Sequence, residues 1–342
     1  GRDGFCDNFE PVESLDLQKV KTVDDLVKGM ASTAFGGRNL GEAADVLEAM
    51  VRDKDCFVVL TLSGAMTVAK MGLLICEMIE RGMVHAVVST GALMTHGMVE
   101  GFGMTHFKYD EGMDDTKLFK CGYNRVYDTL ELEKNLDDLE LVVFEVFKSL
   151  DPGKTYASWE ILEAVGNYLK NKTKKEERAV LKSAFQKKVP VYIPAFSDSE
   201  FALDLGIFNR RRAFHKKPGI NTSEMKDLEH FTNLIRKQKK IGIFTIGGGV
   251  PRNWAQQVAP YLDLIDKRVG IGGKFMRYNY GVRICPEPVH WGGLSGCTYS
   301  EGISWGKMVP AAEGGRFAEV FADATIAWPI ILKAVMERLD KK

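Results

Sequence analysis

The chain has no excess of charge of either sign. Lysine plus arginine and aspartate plus glutamate number 46 each in 342 residues. That balance gives no electrostatic footprint for a nucleic acid or an anionic membrane. Cysteine is scarce and unpatterned, with six residues at 6, 56, 76, 121, 285 and 297 and no C-x-x-C. No Cys/His pair has metal-ligand spacing, so we expect no metal site. We expect the thiols to be reduced and mostly buried, which fits a cytoplasmic protein. No stretch reaches the roughly 18 apolar residues that span a bilayer. The opening GRDGFCDNFEPVES holds no apolar signal-peptide core. No repeat with a period of roughly 20–50 residues is visible. A strict G-x-G-x-x-G is also missing; Gly247-Gly248-Gly249 and Gly270-Ile271-Gly272-Gly273 only approach it.

What is present is an alternation of short apolar runs with helical segments. The runs are Cys56 to Thr61, Val84 to Val88, Val189 to Ile193, Ile241 to Ile246 and Phe317 to Phe321. Continuous apolar runs of this length read as parallel strands buried on both faces. The expected class is therefore α/β, a parallel sheet flanked by helices in one large domain over 23–342, preceded by a polar arm over 1–22. Each run is followed by Gly, Ser, Thr or Asp, and in open α/β sheets ligands bind beyond the carboxyl ends of the strands. Helices are expected in TVDDLVKGMASTAF and NLGEAADVLEAMVRD, separated at Gly36-Gly37, and from Val68 to Arg81. Residues 118–188 read as helical, with the basic run over 170–188 as a solvated helix face. Arg210-Arg211-Arg212 with His215-Lys216-Lys217 reads as a charged loop, able to hold an anion or simply exposed. Residues 266–307 are glycine-rich, with little helix expected.

Within that last segment stands Ser304-Trp305-Gly306-Lys307. Most lysines are solvated surface charges. A lysine beside an indole and shielded from water instead loses its proton more readily, and becomes an amine nucleophile able to form an imine.

SWGK at 304–307, VFADAT at 320–325, IGGGVPRN at 246–253 and VVSTGA at 87–92 together resemble the deoxyhypusine synthase family, in the same order and spacing from about residue 8 to the end. The resemblance implies a Rossmann-like fold, a homotetramer and NAD at subunit interfaces. It implies oxidation of spermidine, release of 1,3-diaminopropane, and transfer of the four-carbon unit through an enzyme-lysine imine to an acceptor amine. By position, Lys307 matches the imine-forming lysine, Trp305 the indole beside the amine, and Glu301 a carboxylate holding a substrate ammonium. Ser63, Gly64, Thr90, Gly91, Asp198, Gly247, Gly248, Ser295, Asp323 and Ala324 match cofactor-binding positions. Asp204 is a looser match for a further acid of the amine pocket, offset by one residue, with Glu200 as a substitute.

The chain departs from the family at three of these places. A proton-transferring histidine of the family is Asn253 here, and an amide cannot act as a base near neutrality. An acid that pairs with substrate is Leu294, and another, after the second strand, is His96. Glu200, Asp204, Glu287 and Glu301 are candidates to restore the charge; His96 and His290 are candidates to restore the proton transfer. This pattern resembles the deoxyhypusine synthase-like branch of bacteria, which implies a small diamine acceptor such as putrescine, giving homospermidine. The alternatives are a deoxyhypusine synthase acting on a lysine of a translation factor, and a catalytically weak regulatory paralogue.

Overall fold

The computed structural model describes residues 7–272 and 274–341. Cys6, Gly273 and the first residues of the expected arm lie outside them. Six parallel strands form the central sheet: β1 (Cys56–Leu62), β2 (Ala86–Ser89), β3 (Val191–Tyr192), β4 (Lys240–Ile246), β5 (Tyr278–Ile284) and β6 (Arg316–Val320). Their spatial order is β6-β5-β4-β1-β2-β3. The order reverses between β1 and β4, which opens a crevice beyond their carboxyl ends. β1 and β4 pair from Cys56–Lys240 to Leu62–Ile246. Both are buried almost throughout, which is why they read as unbroken apolar runs.

Helices cover both faces. Val58, Leu60 and Leu62 of β1 point into one apolar cluster with Leu47, Met50 and Trp328; Val59 points into the other with Phe231, Ile243 and Tyr278. This alternation follows from the two-residue side-chain period of a strand. The N-terminal and C-terminal helices are locked together by Asp24 and Arg338, whose Oδ1 and Nε are 2.6 Å apart in the interior.

Several expectations need correction. β5 was not expected; its Tyr-Asn-Tyr-Gly-Val-Arg-Ile sequence carries a glycine and an arginine in a buried central strand. Residues 118–188 are not all helical. Tyr123–Val126 and Thr129–Leu132 form a hairpin, joined by Phe107–Lys108 in a three-stranded antiparallel sheet. Gly36 and Gly37 do not separate two helices but lie in the first turn of Phe35–Arg52. The helix after β1 spans Gly72–Glu80, shorter than expected. β2 starts two residues later than Val84, and β3 is confined to Val191–Tyr192. Arg210 to Arg212 lie on the Glu200–Phe214 helix rather than in a loop. Of the thiols, Cys56, Cys76 and Cys285 are buried, but Cys121 is exposed. No helix is long and apolar enough to cross a membrane among the described residues.

Candidate active site

Lys307 is fixed by its backbone. A one-turn helix, Tyr299–Ser304, is capped by Thr298 and ends at Trp305. Gly306 then takes φ 71°, a left-handed conformation that a side chain resists. The chain turns back, so Lys307 N–H donates to Gly302 C=O at 3.1 Å and its C=O accepts from Tyr278 N–H at 2.9 Å. Lys307 is thus tied both to the turn before it and to the start of β5. Its Nζ emerges 3.2 Å from Asn253 Oδ1 and 5.9 Å from the Trp305 ring centroid.

Asn253 comes from the helix that leaves β4, Gly249–Gln256. Together with the segment after Gly292, this helix walls a cleft of about 850 Å³. Lys307, Trp305, Glu301, Asn253 and Leu294 all line it, as do Arg252, Cys297 and Trp254. Burial pushes the Lys307 ammonium below the ordinary lysine range; the Arg252 guanidinium adds to that, while Cys297 and Glu301 oppose it. Leu294 is held at φ 61°. A bulky residue at positive φ stores strain of roughly 1–3 kcal/mol, which the surrounding structure must hold.

Two buried arginines hold the loop that carries Leu294. Arg283 Nη1 donates to Ser295 C=O at 2.5 Å, and Arg252 donates to Ser295 C=O at 3.2 Å and to Cys297 C=O at 2.8 Å. Arg283 also pairs with Glu319 on the neighbouring strand at 2.8 Å. The sequence reading missed Arg252, Arg283 and Cys297. Arg252 adjoins Asn253 and was there to be noticed; Arg283 has no local signal, because its partners come from the loop after β5 and from β6.

The residues matched to cofactor binding line the ends of the strands. Ser63 Oγ accepts from Gly248 N–H at 3.2 Å and donates to Ile246 C=O at 3.1 Å, which joins the ends of β1 and β4. A Cβ at Gly247 would sit 1.9 Å from Ser63 Oγ, and one at Gly248 would sit 2.9 Å from Ser295 O. Thr90 Oγ1 donates to Gly64 C=O at 2.8 Å, joining β1 to β2. Gly91 backs onto Ser199, with Asp198 beside it. Asp323 and Ala324 stand at the end of β6, two strands from β4, where Asp323 caps the Ala324–Asp340 helix. Ser295 connects the crevice to the lysine cleft.

Not every candidate joins this assembly. Asp204 lies outside the cleft on the Glu200–Phe214 helix, where burial, then Glu140, Glu200 and Asp137, push its carboxyl up to about 7. Glu287 and His290 are also outside the cleft lining. His96 is buried away from it, in contact with Glu131.

A lysine of lowered basicity in a cleft at the switch point of a parallel sheet defines an α/β enzyme with an amine nucleophile. Comparison with known proteins narrows the class. The family model for deoxyhypusine synthase matches residues 25–335. The chain is 33% identical to probable deoxyhypusine synthase 2 of Methanosarcina acetivorans, over 96% of this chain and 90% of the relative. It is 32% identical to the deoxyhypusine synthase-like protein of Chlorobaculum tepidum, over 94% of this chain and 88% of the relative. A solved chain from Entamoeba histolytica assigned to deoxyhypusine synthase superposes with a TM-score of 0.61, covering 95% of this chain and 97% of that one at 14% identity, and so shares its fold. The chain belongs to the deoxyhypusine synthase family.

Proposed function

We propose that this chain is an NAD-dependent aminobutyl transferase. It takes the four-carbon unit from spermidine, carries it as an imine on Lys307 and delivers it to a small diamine such as putrescine. The observation behind this reading is the placement of Lys307 Nζ, of lowered basicity, in one cleft with Glu301 and Trp305.

The strand ends fit a dinucleotide. Helices of 11, 8 and 17 residues begin at Gly91, Gly249 and Ala324, beyond β2, β4 and β6, and their free N–H groups favour phosphate. Gly249, at φ 63°, has nothing within 4 Å of a Cβ position, leaving open backbone for close approach. Ser63, Gly64, Thr90, Gly91, Asp198, Gly247, Gly248, Ser295, Asp323 and Ala324 are the residues we assign to hold NAD. When bound, it supplies the hydride acceptor for amine oxidation and the hydride donor for reduction of the product.

The chain's own residues do the rest. Glu301 neutralises a substrate ammonium, and the Trp305 face covers the butyl chain or a cationic nitrogen. Asn253 Oδ1 accepts from Lys307 Nζ and aims it. Neutral Nζ attacks the imine carbon of oxidised spermidine. The bond to 1,3-diaminopropane breaks, and the four-carbon unit remains on Nζ until the acceptor amine displaces it by the same exchange. Leu294 presents an apolar wall where an acid would favour a charged group, which narrows the amines accepted. Asp204 is proposed to contribute to amine recognition only through a neighbouring subunit, since it is absent from the cleft of its own chain.

A self-associated, homotetrameric form is part of the same proposal. Val250, Leu264, Leu294 and Trp305 are 53%, 40%, 66% and 65% exposed around one cleft, more apolar surface than a monomer ordinarily shows in one place. Residues 1–22 are proposed as an arm that packs on a neighbour, and 23–342 as the domain.

Incubation with spermidine and NAD, with and without putrescine, and amine analysis by mass spectrometry test the reading. Homospermidine with 1,3-diaminopropane is the expected result. Diaminopropane formed only with a protein acceptor would move the assignment to deoxyhypusine synthesis. No turnover with NAD still bound would indicate a regulatory paralogue.

A further inference from the structure

A second titratable cluster lies outside the cleft. His96, His106 and Glu131 are 8%, 7% and 1% exposed. His96 comes from the helix that begins at Gly91 beyond β2, five residues or about 7.5 Å along its axis. Glu131 comes from the antiparallel hairpin, and His106 immediately precedes that sheet. Glu131 Oε2 lies 2.9 Å from His96 Nδ1 and 2.5 Å from His106 Nε2, the latter off the line of a regular hydrogen bond. Glu131 Oε1 accepts from Asn135 Nδ2 at 2.8 Å.

The proton positions follow from the partners. Lys70 Nζ lies 2.7 Å from His106 Nδ1 and can only donate, so that nitrogen carries the lone pair and His106 holds its proton on Nε2, facing Glu131. Glu131 is the acceptor for both rings. Although burial opposes it, contacts from His106, His96 and Asn135 hold its carboxyl down to about 2. His96 therefore donates through Nδ1, which leaves the lone pair on Nε2. That nitrogen makes no hydrogen bond among the described residues, yet it is not a sealed buried atom. The three ligand atoms lie within 4.8 Å of one another, as a cation site would require. The Lys70 ammonium at the outer nitrogen of His106 instead supplies the positive charge, and Lys70 is itself paired to Glu100 at 3.2 Å.

We propose that His96 is a proton-accepting base, oriented through Nδ1 by Glu131, and that its Nε2 takes the proton from a polyamine ammonium on the β2 side of the crevice. This rests on the polyamine reading above. The N–H bond of the ammonium breaks and an N–H bond forms at Nε2. The resulting imidazolium is stabilised by Glu131, and the proton is returned to the departing amine. Glu131 is the positioning residue; Lys70, Glu100 and His106 complete the charge environment.

Nitrogen-15 NMR of histidine-labelled full-length protein reads the arrangement without turnover. At neutral pH His96 should be protonated on Nδ1 alone, and Glu131→Gln should lower its titration midpoint by about 1–2 pH units. In the polyamine assay, His96→Asn, which keeps a donor toward Glu131, should cut kcat about 100-fold with KM little changed and remove the acid limb of the pH profile. His96→Gln should do the same, which guards against a folding artefact in either variant. A wild-type pH profile in both variants, a proton on Nε2 of His96, or one tightly bound metal per chain would overturn the proposal. A wild type inactive on every polyamine would sink the polyamine reading and the proton's assignment to it, while the NMR result would still decide whether Glu131 orients His96 as a base.

Discussion

Lys307 Nζ and Asn253 Oδ1 face each other at 3.2 Å across a cleft that two buried arginines help to shape. The partner is neutral, so the lysine keeps the depressed basicity that burial imposes. A carboxylate at 253 would stabilise the ammonium instead. Asn253→Asp should therefore move the pH at which half of Lys307 forms adduct upward by about 1 unit or more. Adduct yield against pH, in wild type and variant, measures this; an unchanged curve would show that position 253 does not set the lysine's charge.

The lowered basicity has a cost in stability. A lysine whose folded pKa lies below its unfolded value binds its proton better when unfolded. Stability is therefore reduced below the folded pKa, and the penalty disappears as pH rises through the unfolded value. Lys307→Met should raise the Tm at neutral pH, on the order of 2 °C, and the gain should shrink toward pH 10–11, the ordinary lysine range of roughly 10.4. Calorimetry across that range checks the sign.

Asp24 and Arg338 make the opposite kind of contribution. Although burial opposes it, Arg338, with Lys28 and Lys341, holds the Asp24 carboxyl below its usual range. A depressed carboxylate stabilises above its unfolded pKa, and that stability is lost as pH falls through the folded value. Asp24→Asn should cost about 3–5 kcal/mol at pH 7, because it strands the buried Arg338. The cost should be smaller near pH 3. Denaturant melts at both values test this.

Gly247 turns the chain at φ 79° against Ser63. Gly247→Ala must displace the Ser63 hydroxyl that ties β1 to β4, at an αL cost of roughly 1–2 kcal/mol. NAD binding should weaken at least about tenfold while the Lys307 cleft keeps its amine affinity. Titration calorimetry with NAD and with spermidine separately distinguishes a local effect from general unfolding.

The sheet was legible in the sequence wherever both faces of a strand are buried in apolar packing. β1, β4 and β6 show this, with bounds close to those expected. β5 was hidden because Gly281 and Arg283 break its apolar run; Arg283 is satisfied by Ser295, Gly296 and Glu319, partners that local sequence cannot reveal. The hairpin at 123–132 was hidden by the helix beside it. Its outer residues are exposed, so it carries little of the strand pattern. In the site, the SWGK turn and the strand-end glycines were readable because turns impose local chemistry. The arginine supports and the His96–Glu131 contact were not, since each joins segments far apart in the chain.

The central claim is the covalent role of Lys307. Reduction with borohydride in the presence of spermidine and NAD, followed by peptide mass spectrometry, tests it most directly. The account predicts a reduced aminobutyl group on the peptide containing Lys307 and none anywhere in Lys307→Arg. The same adduct trapped on Lys307→Arg, or found on another lysine of the wild type, would contradict it.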